Sequence, residues 1–197
     1  MLTHKGTQTL CTKRLVLRRF TADDAEAMYQ NWATDEETVK FLRWDTYKEI
    51  ESLKAFLAKC ISEYENIEYY HWVIEVDGII VGTINLHDIE TKKERCELGY
   101  CIGSRWWNKE IVTEAARAVI AFAFTELNAS KVCAYHDTAN PASGRVMQKC
   151  GMKQEGLLRE HSIQKDGTRS DLAVYGILKS EWRENNGIQR EIDSSAL

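Results

Sequence analysis

Proline is nearly missing from this 197-residue chain, where Pro141 stands alone. Proline-rich spacers between modules are therefore excluded, and no Gly/Ser-rich or low-complexity tract takes their place. No apolar run approaches the roughly 20 residues needed to cross a bilayer, and the first thirty residues hold no secretory apolar core. Basic residues do not dominate either. The 26 Lys and Arg against 30 Asp and Glu give a formal net charge of -4, which points away from a nucleic-acid surface. The six cysteines (Cys11, Cys60, Cys96, Cys101, Cys133 and Cys150) include no C-x-x-C pair, the spacing of redox and zinc motifs. Most sit inside apolar runs, where a free thiol packs as a small hydrophobe. The expectation is one soluble, cytoplasmic domain with reduced cysteines, no metal, no nucleic-acid partner and no membrane contact.

What is present is an interleaving of two periodicities. Arg14 to Phe20 alternates as a strand. Thr21 with Asp24 predicts a helix start, with Met28, Tyr29 and Trp32 facing inward. Thr46 with Glu49 predicts a second capping box, opening a helix that carries Ile50, Leu53, Leu57, Cys60, Ile61 and Tyr64 at helical spacing. Two strands, His71 to Val76 and Ile79 to Leu86, flank Asp77-Gly78, a hairpin turn signal. Further strands are predicted at Glu97 to Gly103 and Lys131 to His136, around a helix over Ile111 to Leu127. Asn140 as N-cap, Pro141 in the first turn and Gly151 as C-cap bracket a short helix. A final hairpin, Lys153 to Gln164 and Arg169 to Leu178, turns at Asp166-Gly167. Residues 1–9 and 183–197 are polar and expected to be loose, leaving 10–182 as the domain. The order β-α-α-β-β-β-α-β-α-β-β is neither a doubly wound nucleotide fold nor a barrel. It describes a mixed α/β domain.

The stretch from Glu97 to Ala115, E-L-G-Y-C-I-G-S-R-W-W-N-K-E-I-V-T-E-A, carries the chemistry. A strand runs through a loop into a long helix, whose first amides have no partner inside the helix and whose N-terminus carries partial positive charge. Such a start can hold a phosphate, with Arg105 and Lys109 adding charge beside it. An ordinary strand-loop-helix connection with a solvated basic pair would read the same way.

The stretch resembles the pyrophosphate-binding motif of the GNAT superfamily of N-acetyltransferases, Q/R-x-x-G-x-G/A. It is most similar to the ribosomal-protein subfamily, with its E-I-G-Y followed by W-G-x-G-I-A-T-E-A. Asn140 to Gly151, N-P-A-S-G-R-V-M-Q-K-C-G, resembles the same family's N-x-x-S-x-x-V-x-E-K-x-G block, and T-K-R-L-V-L-R-R-F its usual first strand. The likeness spans roughly residues 10 to 182. It implies a central mixed, mostly antiparallel sheet flanked by helices, with acetyl-CoA as cosubstrate. The acceptor it implies is a primary amine on a small molecule or a protein N-terminus, and a homodimer is a further family expectation. By this resemblance Cys101, Ile102, Gly103, Arg105, Trp107, Asn108, Lys109, Glu110, Ile111, Val112 and Thr113 meet the coenzyme, as do Asn140 and Ser143 near its pantetheine arm and thiol. The backbone N–H of Ile102 or its neighbour is the expected oxyanion donor.

The chain departs from the pattern at Asn108 and Glu110, which replace glycines. Asparagine tolerates left-handed backbone angles. Glu110 brings a Cβ and a negative charge, so either its side chain turns outward or coenzyme affinity falls. Many family members place a tyrosine acid seven residues after the asparagine, where Met147 stands here; the resemblance to the ribosomal-protein subfamily implies Ser143 as the acid instead. Glu97 is the first choice of base, with Glu160, His161 and His136 weaker ones. Trp44, Tyr47, Trp72, Tyr135 and Tyr175 are read as packing residues before cleft residues. The departures also motivate an alternative, a coenzyme-binding sensor or assembly module with impaired catalysis. A ligand-free dimerisation domain is a third reading.

Overall fold

The computed structural model of the chain describes residues 1–184. The expectation for 185–197 within the polar tail lies outside the described residues. Two short strands, β1 (Leu10–Cys11) and β2 (Leu15–Arg18), lead to α1 (Asp24–Met28), which continues as one π-helical segment over Tyr29–Ala33. A short α2 (Glu36–Val39) precedes α3 (Ile50–Glu63). Then come β3 (Tyr70–Val76), β4 (Ile79–Glu90), β5 (Arg95–Ile102), α4 (Ile111–Thr125), β6 (Lys131–Asp137), α5 (Pro141–Lys149), β7 (Lys153–Ile163) and β8 (Arg169–Leu178). The eight strands form one sheet in the order β1-β2-β3-β4-β5-β6-β8-β7. Every neighbouring pair is antiparallel except β5 with β6.

Strand alternation assigns the two faces. Tyr70, Trp72, Ile74, Ile84, Leu98, Val132 and Ala134 pack with α4 and with Met147 of α5. The opposite face offers Val73, Ile80 and Cys101 to α1 and α3, through Met28, Trp32, Leu53, Leu57 and Cys60. Burying a large aliphatic or aromatic side chain contributes about 1.5–3 kcal/mol, so each amphipathic helix is held mainly by this face-on packing. Asp77 and Gly78 take left-handed angles at the β3–β4 turn, as the Asp-Gly signal predicts.

Two expectations are corrected. Thr46 does not cap α3. The helix begins at Ile50 behind an extended Glu49, with no side-chain cap bond. The intervening chain is instead used in tertiary contacts, with the Tyr47 amide donating to the Ala33 carbonyl (2.9 Å).

Residues 1–9 are also not loose. Thr3 N–H donates to Leu127 O (2.8 Å) and Gly6 N–H to Ile67 O (2.8 Å). The buried Trp72 indole donates to Gln8 O (2.6 Å), and the Thr7 hydroxyl donates to Tyr69 O (2.8 Å) while accepting from His71 N–H (3.0 Å). A polar segment is ordered here because it supplies acceptors to otherwise unpaired sheet groups.

Candidate active site

β5 and β6 pair only at Arg95–Lys131, Cys96–Val132 and Glu97–Cys133. Beyond these, β5 stays with β4 and β6 stays with β8, so a slot opens between them. Gly103 N–H donates to Val81 O of β4 (3.0 Å). By ladder alternation the amides of Cys101 and Gly99 also face β4, and those of Tyr100 and Ile102 face the slot. The Ile102 carbonyl is engaged by the Trp107 indole N–H (3.0 Å). Its amide is thus presented by an anchored backbone.

The N-terminus of α5 stands at the slot on the α4 side of the sheet. Pro141 fixes the first turn, and the Asn140 side chain accepts from Ser143 N–H (3.4 Å). This is the capping bond that the Asn-Pro pair predicts. Tyr100, on the same sheet face as Leu98, reaches across: its hydroxyl lies 2.9 Å from Ser143 Oγ and donates to the Ser143 carbonyl (3.0 Å). Burial pushes the Tyr100 phenol above its ordinary pKa, so it stays protonated.

Glu97 marks the inner end of the slot on the opposite face. Its register partner in β4 is His87, whose Nε2 lies 3.6 Å from Glu97 Oε1, while Nδ1 lies 3.1 Å from Asp88 Oδ2. Burial raises the Glu97 carboxyl and Asp88 adds to this, against the opposing pull of His87, Arg43 and Arg95. Two strand positions on, Gly99 leaves room for Asn85 and His87: a Cβ there would sit 2.5 Å from Asn85 Oδ1 and 3.1 Å from His87 Nε2. Asp88, Arg95, Cys96, Glu97, Cys133 and Tyr135 line a cavity of about 20 Å³ beneath this group. The oxygens of Asp88 and Glu97 and a His87 nitrogen lie within 4.8 Å of one another. The two imidazole nitrogens face different carboxylates, an arrangement that suits passing a proton along a line.

The loop from β5 to α4 is clamped from the α1–α2 side. Ser104 N–H donates to Asp35 Oδ2 and to Thr38 Oγ1, both at 3.0 Å. Burial opposes ionisation of Asp35, but the bonds from Ser104 and Thr38 outweigh it and hold the carboxyl at about 2. Gly103 passes so close to the Asn31 carbonyl that a Cβ would lie 2.2 Å from it. The Arg105 guanidinium donates to Gln30 O (2.9 Å) and Asn31 Oδ1 (3.2 Å) and stacks over Trp106. Arg105 therefore holds the loop to the π-helical segment.

Asn108 and Glu110 have φ of 59° and 61°, the left-handed angles that glycine adopts at no steric cost. The Glu110 side chain is exposed and pairs with Lys149 at 2.5 Å. That pair, and the basic surroundings of Arg117, hold its carboxyl below the usual range. The Glu114 amide makes the first bond back, to Glu110 O (3.0 Å). The amides of Ile111, Val112 and Thr113 precede it, while their side chains are buried. Arg14 donates to Lys109 O (3.1 Å), and an open groove of about 600 Å³ runs beside the helix start, lined by Thr12, Lys13, Arg14, Glu110, Thr113, Glu114, Arg117 and Ala118. Free helix amides with Lys and Arg close by fit a diphosphate.

The remaining candidates separate. Glu160 and His161 are exposed on β7. His136 engages Asp137 O through Nδ1 (2.7 Å) and packs its Nε2 against Gly144. Trp72 and Tyr175 belong to the core. Trp44 and Tyr47 are half-buried beside α3, and Tyr135 borders the cavity under Glu97. All six cysteines are free, with Cys11 exposed.

Tyr100, His87 and Lys149 had no role in the sequence reading. Tyr100 lay inside the quoted E-L-G-Y, and Lys149 inside Q-K-C-G. Only the β4 register brings His87 to Glu97.

The slot, the helix start and the flanking carboxyl suit acyl transfer from a phosphate-bearing carrier. The family model described as "Acetyltransferase (GNAT) domain" matches residues 14–153, and the chain belongs to that family as an acetyl-CoA-dependent N-acetyltransferase. It is 32% identical over 170 residues to the "Uncharacterized N-acetyltransferase YoaA" of Bacillus subtilis (strain 168), covering 85% of this chain and 95% of that protein. A GNAT-family acetyltransferase from Bacillus anthracis superposes with a TM-score of 0.77 at 25% identity, covering 88% of this chain and 99% of that one. The microcin C7 self-immunity acetyltransferase MccE, solved with acetyl-CoA and AMP, shares the fold with a TM-score of 0.77 at 19% identity, covering 85% and 93%. Among the described residues no helix is long and apolar enough to cross a membrane.

Proposed function

We propose that the enzyme moves the acetyl group of acetyl-CoA directly to a primary amine while both substrates are bound, and that the acceptor is the α-amine of a protein N-terminus. The observation that carries the direct transfer is the slot itself. Ser143 and the α4 start border it on one face of the sheet, and Glu97 on the other. The thioester then enters from the α4–α5 side and the amine from the opposite side, so the reacting atoms meet in the gap.

The amides of Ile111, Val112 and Thr113 hold the diphosphate, with Lys109 and Lys149 adding positive charge. Asn140 and the Cys101–Gly103 backbone guide the pantetheine arm, and Trp107 braces Ile102. The Ile102 N–H donates to the developing oxyanion. Glu97 takes the ammonium proton, directly or through water, and Ser143 hydrogen-bonds the departing sulfur. The cysteines near the slot favour this over a covalent acetyl-enzyme. Burial pushes the Cys101 thiol up to about 12 and raises that of Cys133, so neither is a ready thiolate. The N-terminal acceptor rests on the motif likeness to the ribosomal-protein subfamily.

The test is free-thiol release from acetyl-CoA against a panel of N-terminal peptides, polyamines and amino acids. Direct transfer gives initial-velocity lines that intersect. Parallel lines would point to an acetyl-enzyme instead. Binding of acetyl-CoA without release for any amine would favour the impaired sensor module.

A further inference from the structure

We propose that Tyr100 is a positioning residue that sets the hydroxyl of Ser143 toward the sulfur of the coenzyme. This rests on Ser143 facing that sulfur. A phenol has one hydrogen, and the Ser143 carbonyl can only accept. The 3.0 Å contact therefore takes the phenol hydrogen, and the 2.9 Å contact to Oγ is made by the serine hydrogen pointing at Tyr100. The serine hydroxyl is thus parked on the phenol.

A thiolate entering the slot offers the serine hydrogen a charged acceptor, which is the stronger partner. The phenol hydrogen then swings from the carbonyl to Ser143 Oγ, a move of one hydrogen between two oxygens already within reach. The carbonyl is not orphaned, because it lies within α5 and keeps its helical partner. The result is a line from Tyr100 O–H to Ser143 Oγ and from Ser143 O–H to sulfur, in which each bond polarises the next. No bond to carbon changes and no proton is transferred in this step. Burial of Tyr100 keeps it a phenol, so it orients the serine rather than supplying a proton. With Met147 at the position of the family's tyrosine acid, the strand tyrosine takes over the support of the thiol end from the other wall of the slot.

The test uses free CoA bound to the full-length protein, with its thiol titrated by ultraviolet thiolate absorbance, so no acceptor is needed. Relative to wild type, Ser143→Ala is expected to raise the pKa of the bound thiol by about one unit, the scale of one hydrogen bond to a charged group. Tyr100→Phe, which keeps the ring and its packing, should raise it by part of that, and the double variant should match Ser143→Ala alone. An unchanged thiol in Tyr100→Phe beside a shifted one in Ser143→Ala overturns the role of Tyr100 and leaves Ser143 in place. Shifts that add in the double variant overturn it too, since the phenol would then act without the serine. An unchanged thiol in Ser143→Ala removes the Ser143 reading and this inference together. Failure of the wild type to bind CoA would remove the proposed function itself.

Discussion

As the proposed base, Glu97 is a carboxyl whose environment costs the fold some stability. Its folded pKa lies above the unfolded value because burial penalises the charge. The stability it contributes is therefore present below the unfolded pKa and is lost as pH rises through the folded one. Above the folded pKa the buried charge weighs against folding. Glu97→Gln is accordingly expected to raise the thermal midpoint at neutral pH, with a smaller difference in acid, while kcat falls by about 10²–10⁴-fold. The acid limb of the kcat/KM profile, which in wild type rises with pH through the raised Glu97 pKa, should disappear. A variant that keeps this limb would assign it to another group. Gly99 is the complementary case. Gly99→Ala crowds Asn85 and pushes His87 from its place beside Glu97, so kcat/KM should fall along with about 1–3 kcal/mol of stability, read by urea unfolding.

α4 is the element on which the proposed coenzyme binding and the folding meet. Its N-terminus is tied to the first strands by Glu114, which accepts from Thr12 Oγ1 (2.6 Å), Arg14 N–H (3.1 Å) and Arg14 Nε (2.7 Å). Glu114→Ala should destabilise by about 2 kcal/mol and raise the KM for acetyl-CoA more than that for the amine, because the helix start loses its brace. Glu110 precedes the helix with left-handed backbone angles and a solvent-facing ion pair, a pair type that contributes little. Glu110→Gly removes the backbone strain and one negative charge beside the proposed diphosphate site. The expected outcome is a higher thermal midpoint and a KM for acetyl-CoA lowered a few-fold. A raised KM would mean that Glu110 holds Lys149 in its binding position.

For the whole molecule, the N-terminal segment is the part most at odds with its composition. Deleting residues 2–8 would strip acceptors from the Trp72 indole and the His71 amide, at about 1–3 kcal/mol for each orphaned donor. The urea midpoint should drop markedly, and an unchanged midpoint would show that the segment is dispensable. Legibility followed the range of the forces involved. The Asp77-Gly78 hairpin, the Asn140-Pro141 cap and the α4 stripe were readable because neighbouring residues decide them. Thr46 was misread because a capping pattern does not reveal that the chain after α2 is needed elsewhere, with Tyr47 bonded back to Ala33. The π-helical segment carried no local mark either. Its carbonyl at Gln30 serves Arg105, 75 positions away.

The sequence by itself determined the longer strands and helices, the start of α4 and the two motif blocks, since backbone angles, caps and apolar periodicity are settled within a turn or a strand pair. Only the tertiary structure decided that β5 parts from β6 after Glu97, that His87 meets that carboxyl, and that Tyr100 spans to Ser143. Those pairings depend on strand register and sheet order, which arise from packing the two layers of helices against opposite faces. No short window of sequence contains that information.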